Sequence, residues 1–149
     1  MDLDAEIEKQ LLAETVFRQG LFEGKRILVM GATGGIGLAV CCLLRSLGAS
    51  LILSARKESQ LSKISEKLNV VGEGDVSFCQ SDIKDLRKVE SLFNTHIGSQ
   101  PLDGVINCAG GQFPQPAIEL EEKGWKAVVD TNLNGSWNLM STAARNWKK

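Results

Sequence analysis

The chain reads as a doubly wound α/β fold, a parallel sheet covered by helices on both faces, and three observations predict it. Short apolar runs alternate with amphipathic stretches of helical length, four times over. The runs are short and apolar, which implies a parallel sheet covered on both faces. The first of them, Arg26-Ile27-Leu28-Val29-Met30, passes straight into the glycine-rich turn MGATGGIG of residues 30–37. At 149 residues the chain is long enough for one such domain with a substantial core.

Each element follows from its own pattern. Leu3, Ile7 and Leu11, with Leu12 and Val16 less regularly, predict an amphipathic helix over 3–17 lying against the body. After the strand at 26–30, residues 37–48 have helical length and stop at Gly48, a helix terminator. Residues 50–54 (SLILS) form the second strand, and 58–71 a helix with Leu61, Ile64 and Leu68 on one face. Residues 75–80 are the third strand, and 85–97 a helix with Leu86, Val89, Leu92 and Phe93 on one stripe. DGVINCAG (103–110) is the fourth strand running into a glycine pair, and the remainder is helical with an interruption around Asn132 to Gly135. Right-handed crossovers and parallel order follow from general rules.

Composition narrows the function classes. A net charge of −1 gives no broad electrostatic case for nucleic acid or an anionic membrane. No apolar stretch approaches the roughly 20 residues of a membrane span, and the acidic amino end lacks the order of a secretory or transit signal. Cys41, Cys42, Cys79 and Cys108 form no CxxC pair and have no histidine at ligand spacing. They read as reduced thiols, Cys79 and Cys108 as small buried hydrophobes, with no metal site. That expectation places the chain in the cytoplasm or in a peroxisomal or mitochondrial matrix. His96, the only histidine, sits near a helix end without a carboxylate or serine partner in view, and Trp125, Trp137 and Trp147 read as core or interface anchors.

Gly31, Gly34, Gly35 and Gly37 stand where the first strand turns into the first crossover helix. In this fold that turn lies at the carboxyl edge of the sheet, where ligands bind. A helix start offers unpaired N–H groups and a positive dipole end to a pyrophosphate, and glycines let it approach. A nucleotide-triphosphate loop needs Lys and Ser/Thr after its last glycine, whereas Leu38-Ala39 follow Gly37 here. A glycine-rich connection without ligand remains open from the motif alone.

GATGGIG resembles the TGxxxGIG loop of the short-chain dehydrogenase/reductase family, with Met30 in place of the usual Thr. NCAG (Asn107 to Gly110) is similar to that family's NNAG, with Cys108 for the second Asn, and Asp82 in SDI looks like its adenine-contacting Asp. GGQFP, KGW and TNLNG further resemble the subgroup of trans-2-enoyl-CoA reductase, 2,4-dienoyl-CoA reductases and citronellol/citronellal dehydrogenases. The resemblance implies a Rossmann dinucleotide-binding domain over 23–149 behind a helical extension at 1–22. It implies Gly31, Thr33, Gly34, Gly35, Ile36 and Gly37 on the pyrophosphate side, Asp82 and Ile83 at adenine, and Asn107, Ala109 and Gly110 along the nicotinamide ribose. Asn132 would support the proton relay, and the substrate would be an acyl-CoA or an alcohol/aldehyde handled by a homo-oligomer.

Two further readings concern the cofactor and the catalytic machinery. The second strand ends Ser54-Ala55-Arg56-Lys57, without the carboxylate that would hold the ribose 2′-OH of NAD. Two cations at a helix start oppose its dipole and suit a 2′-phosphate, so the expected cofactor is NADP(H), with Ser54, Arg56 and Lys57 around the phosphate. The family's Tyr-x-x-x-Lys and Ser have no counterpart: the chain contains no tyrosine. Those positions are expected beyond residue 149, which leaves the 149 residues as a cofactor-binding part that does not complete the reaction alone.

Overall fold

The computed structural model describes residues 3–98 and 100–148. Four strands, β1 (Arg26–Met30), β2 (Ser50–Ala55), β3 (Val76–Gln80) and β4 (Gly104–Asn107), lie side by side in the order β3-β2-β1-β4. All three pairings are parallel: Met30 stands opposite Ser54 on one side and Asn107 on the other. The order of strands reverses between β1 and β4, and in such sheets the crevice beyond the carboxyl ends at this switch receives ligands.

Side chains alternate across the strands, so each strand feeds two cores. Ile27, Val29, Leu51 and Leu53 pack with Leu38 and Cys41 of α2 (Gly35–Ser46) and with Leu61, Ile64 and Leu68 of α3 (Glu58–Asn69). Leu28, Met30 and Ile52 pack on the opposite face with Val89 of α4 (Leu86–Ser91), Phe93, and Leu139 and Ala143 of α6 (Gly135–Trp147). The remaining helix, α5 (Glu122–Val129), stands beyond the fourth strand in sequence and joins α6 through a π-helical turn at Asp130–Asn134. Burial on both faces is why the two central strands, β1 and β2, are largely apolar, whereas β3 and β4 at the sheet's edges are only partly buried.

Arg45 is the exception inside the first core. It is 1% exposed, and its guanidinium donates to the carbonyls of Leu68 (3.0 Å), Ala49 (3.0 Å) and Gly72 (3.0 Å). One side chain thus ties together the ends of α2 and α3 and the start of β2. Desolvation in this position lowers its pKa from the ordinary arginine value.

Several expectations are corrected by packing. The amino-terminal helix α1 (Leu3–Leu11) docks on α2 through Ile7, and Asp4 pairs with Lys67 at 3.6 Å, but it ends well before residue 17. Leu12 and Val16 point into solvent, and the Thr15 hydroxyl accepts from the Phe17 N–H in a local turn that competes with helix. The predicted helix over 85–97 is a short α-helix, capped by the Asp85 carboxylate, followed by a π-helical turn at Leu92–Ile97. That turn keeps Leu92, Phe93 and Ile97 buried while Leu86 is exposed. Trp125, Trp137 and Trp147 are all more than half exposed, although the Trp147 indole donates to the Leu102 carbonyl at 2.8 Å.

The outer edge of β4 has no strand partner among the described residues. Val105 and Ile106 on that strand are half-buried, and an unpaired edge of this kind templates association. The 149-residue chain expressed by itself is therefore expected to run in size exclusion as concentration-dependent oligomers. A monomer at every concentration tested would overturn that expectation.

Candidate functional site

A cleft of about 520 Å³ opens beyond the carboxyl ends of the strands. Its floor is the turn leaving β1, with Gly31, Thr33 and Gly34. One wall carries Arg56, Lys57 and Gln60 from the end of β2 and the start of α3, and the next carries Ser81 to Lys84 after β3. Cys108 to Gln112 after β4 form the third wall, closed by Ala127, Val128 and Thr131. Sequence segments far apart in the chain meet here because a parallel sheet brings all its carboxyl ends to one edge.

The glycines divide into two kinds. Gly31 has φ +84°, and a Cβ there would lie 2.5 Å from the Ala109 nitrogen and 2.6 Å from the Cys108 carbonyl carbon. A Cβ on Gly37 would collide with the Gly31 carbonyl oxygen. The chain itself requires these two. Gly35 is different: a Cβ there would meet nothing within 4 Å, and its φ is not positive. No contact within the chain explains a glycine at the first residue of α2, whereas the close approach of a phosphate does. The N-terminal residue Gly34 supplies no side-chain cap, so the first-turn N–H groups of α2 are left to another acceptor. The loop itself is fixed from below, since the Gly31 and Ala32 N–H groups donate to the Ser54 carbonyl at 2.7 and 3.2 Å.

Charge at the cleft is lopsided. Arg56, Lys57 and Lys84 line it against the single carboxylate of Asp82. Among the described residues neither Arg56 nor Lys57 pairs with a carboxylate. The Asp82 side chain accepts from the Lys84 N–H at 3.1 Å, which holds the turn after β3, and Ile83 is buried against the second core. Ser81 is 2% exposed, and among the described residues its hydroxyl has no hydrogen-bond partner.

The remaining sequence-derived residues are placed less directly. Ser54 is fully buried and donates to the Cys79 carbonyl at 2.9 Å; it braces β2 against β3 and does not reach the cleft. Gly35, Ile36 and Gly37 form the first turn of α2 but do not line the cleft; Ile36 is 77% exposed and borders a separate groove with Gln10 and Val40. Asn107 and Asn132 stand behind the third wall. The Asn107 Oδ1 accepts from the Ala109 N–H at 3.0 Å. The Asn132 amide donates to the Gly111 carbonyl at 2.8 Å, and its Oδ1 accepts from the Gly111 N–H at 3.2 Å. Asn132 thus pairs with Gly111 as a strand neighbour would.

Ser136, the second residue of α6, joins the two asparagines: it accepts from Asn107 Nδ2 at 2.9 Å and donates to the Asn132 carbonyl at 2.7 Å. Sequence reasoning passed over it because nothing local marks a serine inside a helix as a bridge between a strand end and a π-turn.

Cys79 and Cys108 are only half-buried, contrary to expectation, yet burial still pushes both thiols above their ordinary pKa. Cys42 is pushed up to about 11 and Cys41 further. All four stay protonated near neutral pH, which makes them poor nucleophiles. Among the described residues no cluster of His, Cys, Asp and Glu could hold a metal ion. Among them, too, no helix is long and apolar enough to cross a membrane.

A parallel sheet with its switch point at β1 and β4, an uncapped glycine-floored helix start and a cation-lined wall define a dinucleotide-binding site of the Rossmann class. The family of short chain dehydrogenases matches residues 25–149, and the chain belongs to it. The family is one of oxidoreductases that bind nicotinamide dinucleotides. A probable 2,4-dienoyl-CoA reductase of Bacillus subtilis is 29% identical over 84% of this chain and 49% of its own length. A glucose 1-dehydrogenase of Gluconobacter oxydans is 32% identical over 85% of this chain and 48% of its own. The solved structure of the citronellol catabolism dehydrogenase of Pseudomonas aeruginosa superposes with a TM-score of 0.81 at 30% identity, covering 89% of this chain and 54% of that one. The chain spans about half the length of these relatives.

Proposed function

We propose that this chain is the cofactor-binding part of an NADP(H)-dependent oxidoreductase that transfers hydride to or from an enoyl-CoA or an alcohol/aldehyde. The observation that carries the reading is the cleft that Gly31, Thr33 and Gly34, leading into the α2 start that has no side-chain cap, share with the unpaired Arg56 and Lys57. A dinucleotide bearing an additional phosphate has anionic groups for both. Printed names of relatives that act on dienoyl-CoA and citronellol support the substrate classes.

The nicotinamide ring would supply the hydride chemistry, and the residues of this chain bind and orient it. Gly31, Thr33 and Gly34, with the first-turn backbone of Gly35, Ile36 and Gly37, would hold the pyrophosphate. Arg56 and Lys57 would hold the 2′-phosphate, Asp82 and Ile83 the adenine, and Asn107, Ala109 and Gly110 the nicotinamide ribose. Ser54 serves this site only through its carbonyl, which anchors the loop. The Asn132 carbonyl accepts the Ser136 hydroxyl, and Asn132 would support the proton relay. The full enzyme would work as a homo-oligomer in a reducing compartment. The absence of tyrosine favours a second reading for the 149 residues alone, a form that binds NADP(H) without turnover.

The test is equilibrium titration with NADPH and NADH. NADPH is expected to bind more tightly, and Arg56→Ala to weaken NADPH by about tenfold while leaving NADH unchanged, the loss of one charge-assisted contact. Equal loss for both nucleotides would remove Arg56 from the 2′-phosphate and with it the NADP(H) assignment.

A further inference from the structure

The third wall of the cleft, Cys108 to Gly111, belongs to no helix or strand, yet it must hold a fixed shape if a nucleotide is to lie against it. Its backbone is held by two asparagine side chains: Asn107 on the Ala109 N–H and Asn132 on both polar groups of Gly111. Asn132 lies in the π-turn at Asp130–Asn134, where the widened helix displaces carbonyls from their usual partners; such turns concentrate at functional sites. The Ser136 hydroxyl uses its one proton on the Asn132 carbonyl (2.7 Å) and accepts from Asn107 Nδ2 (2.9 Å). A single hydroxyl therefore links the strand end that starts the wall to the turn that finishes it. Alanine cannot form either bond, and cysteine only weakly.

We propose that Ser136 is a positioning residue of the cofactor cleft: by bridging Asn107 and the Asn132 carbonyl it sets the rigidity of the Cys108–Gly111 wall and through it the affinity for the nucleotide. The affinity half rests on the nucleotide-binding reading above; the rigidity half does not. Asn107 and Asn132 are both solvent-exposed, so water can replace the lost partners, and alanine is the better helix former at this position. The wall is loosened without unfolding the domain.

The test compares wild type, Ser136→Ala and Ser136→Thr in the purified protein, by amide hydrogen exchange without ligand and by NADPH titration. Ser136→Ala is expected to leave the melting midpoint unchanged or higher and to speed exchange at Ala109 about tenfold, the scale of one lost hydrogen bond. Gly111 should change less, because the Asn132 amide also donates to the Val128 carbonyl at 3.0 Å. NADPH affinity should fall about fivefold to tenfold, and Ser136→Thr, which keeps the hydroxyl, should restore both readouts. Unchanged exchange at Ala109 in Ser136→Ala, or a Thr variant as impaired as the Ala variant, overturns the bridge. If the wild type binds neither NADPH nor NADH, the functional reading falls while the exchange data still decide the bridge.

Discussion

Replacing Arg45 by alanine is expected to destabilise the fold by about 3–5 kcal/mol, the combined effect of unpaired carbonyls and a buried cavity. Leu68, Ala49 and Gly72 all lose their donor at once, the first two at buried positions. Arg45→Met separates the two effects. It refills most of the volume but satisfies no carbonyl, so it should recover only part of the loss. Urea unfolding of the three proteins measures this directly, and an Arg45→Ala cost under about 1 kcal/mol would show that the guanidinium is a passenger. Among the described residues the guanidinium's hydrogen-bond partners are three carbonyl oxygens, which is why a lysine with one compact charge should not substitute for its three-way reach.

Alanine at Gly31 and alanine at Gly35 are expected to fail in opposite ways. At Gly31 the new Cβ meets backbone atoms of Cys108 and Ala109 and must also adopt φ +84°. Neither neighbour is a flexible side-chain tip, so β1 and the loop after β4 must separate. Strain and overlap together should cost about 2–5 kcal/mol. At Gly35 the Cβ enters open space on an ordinary helical backbone, so the fold should be unchanged or gain up to about 1 kcal/mol of helix propensity. The same Cβ stands over the first-turn N–H groups of α2, and NADPH affinity should drop at least about tenfold. Thermal melts and nucleotide titrations on both variants check the contrast. A Gly35→Ala protein that binds NADPH like the wild type would falsify the phosphate cradle and return the motif to a purely structural turn.

Much of this architecture was legible in the chain. Short apolar runs identified all four strands, most plainly β1 and β2, where burial on both faces leaves little room for polar residues. Gly31 and Gly37 announced the tight turn, and the interruption foreseen near Asn132 is the π-turn between α5 and α6. The family assignment rests on the same short motifs, since they mark strand ends where a nucleotide-binding sheet needs particular backbones.

Other features had no local signature. Leu12 and Val16 continued a helical pattern that α1 abandons, because spacing cannot report whether a partner surface extends that far. Ser54 looked like a phosphate ligand at the end of a strand, but the pleat turns its hydroxyl inward onto β3. Arg45 reads as a surface cation near a helix end, and only the convergence of α3 and the turn after it makes it buried. Ser136 became a bridge because β4 ends beside α6, which brings it to Asn107, 29 positions earlier in the chain. The sequence by itself determined the order, the kind and the inner faces of the elements, through periodicity and backbone conformation, which act over a few residues. Tertiary structure alone decided which polar groups meet, because a hydrogen bond requires two groups within about 3 Å, and the chain folds that distance from segments far apart.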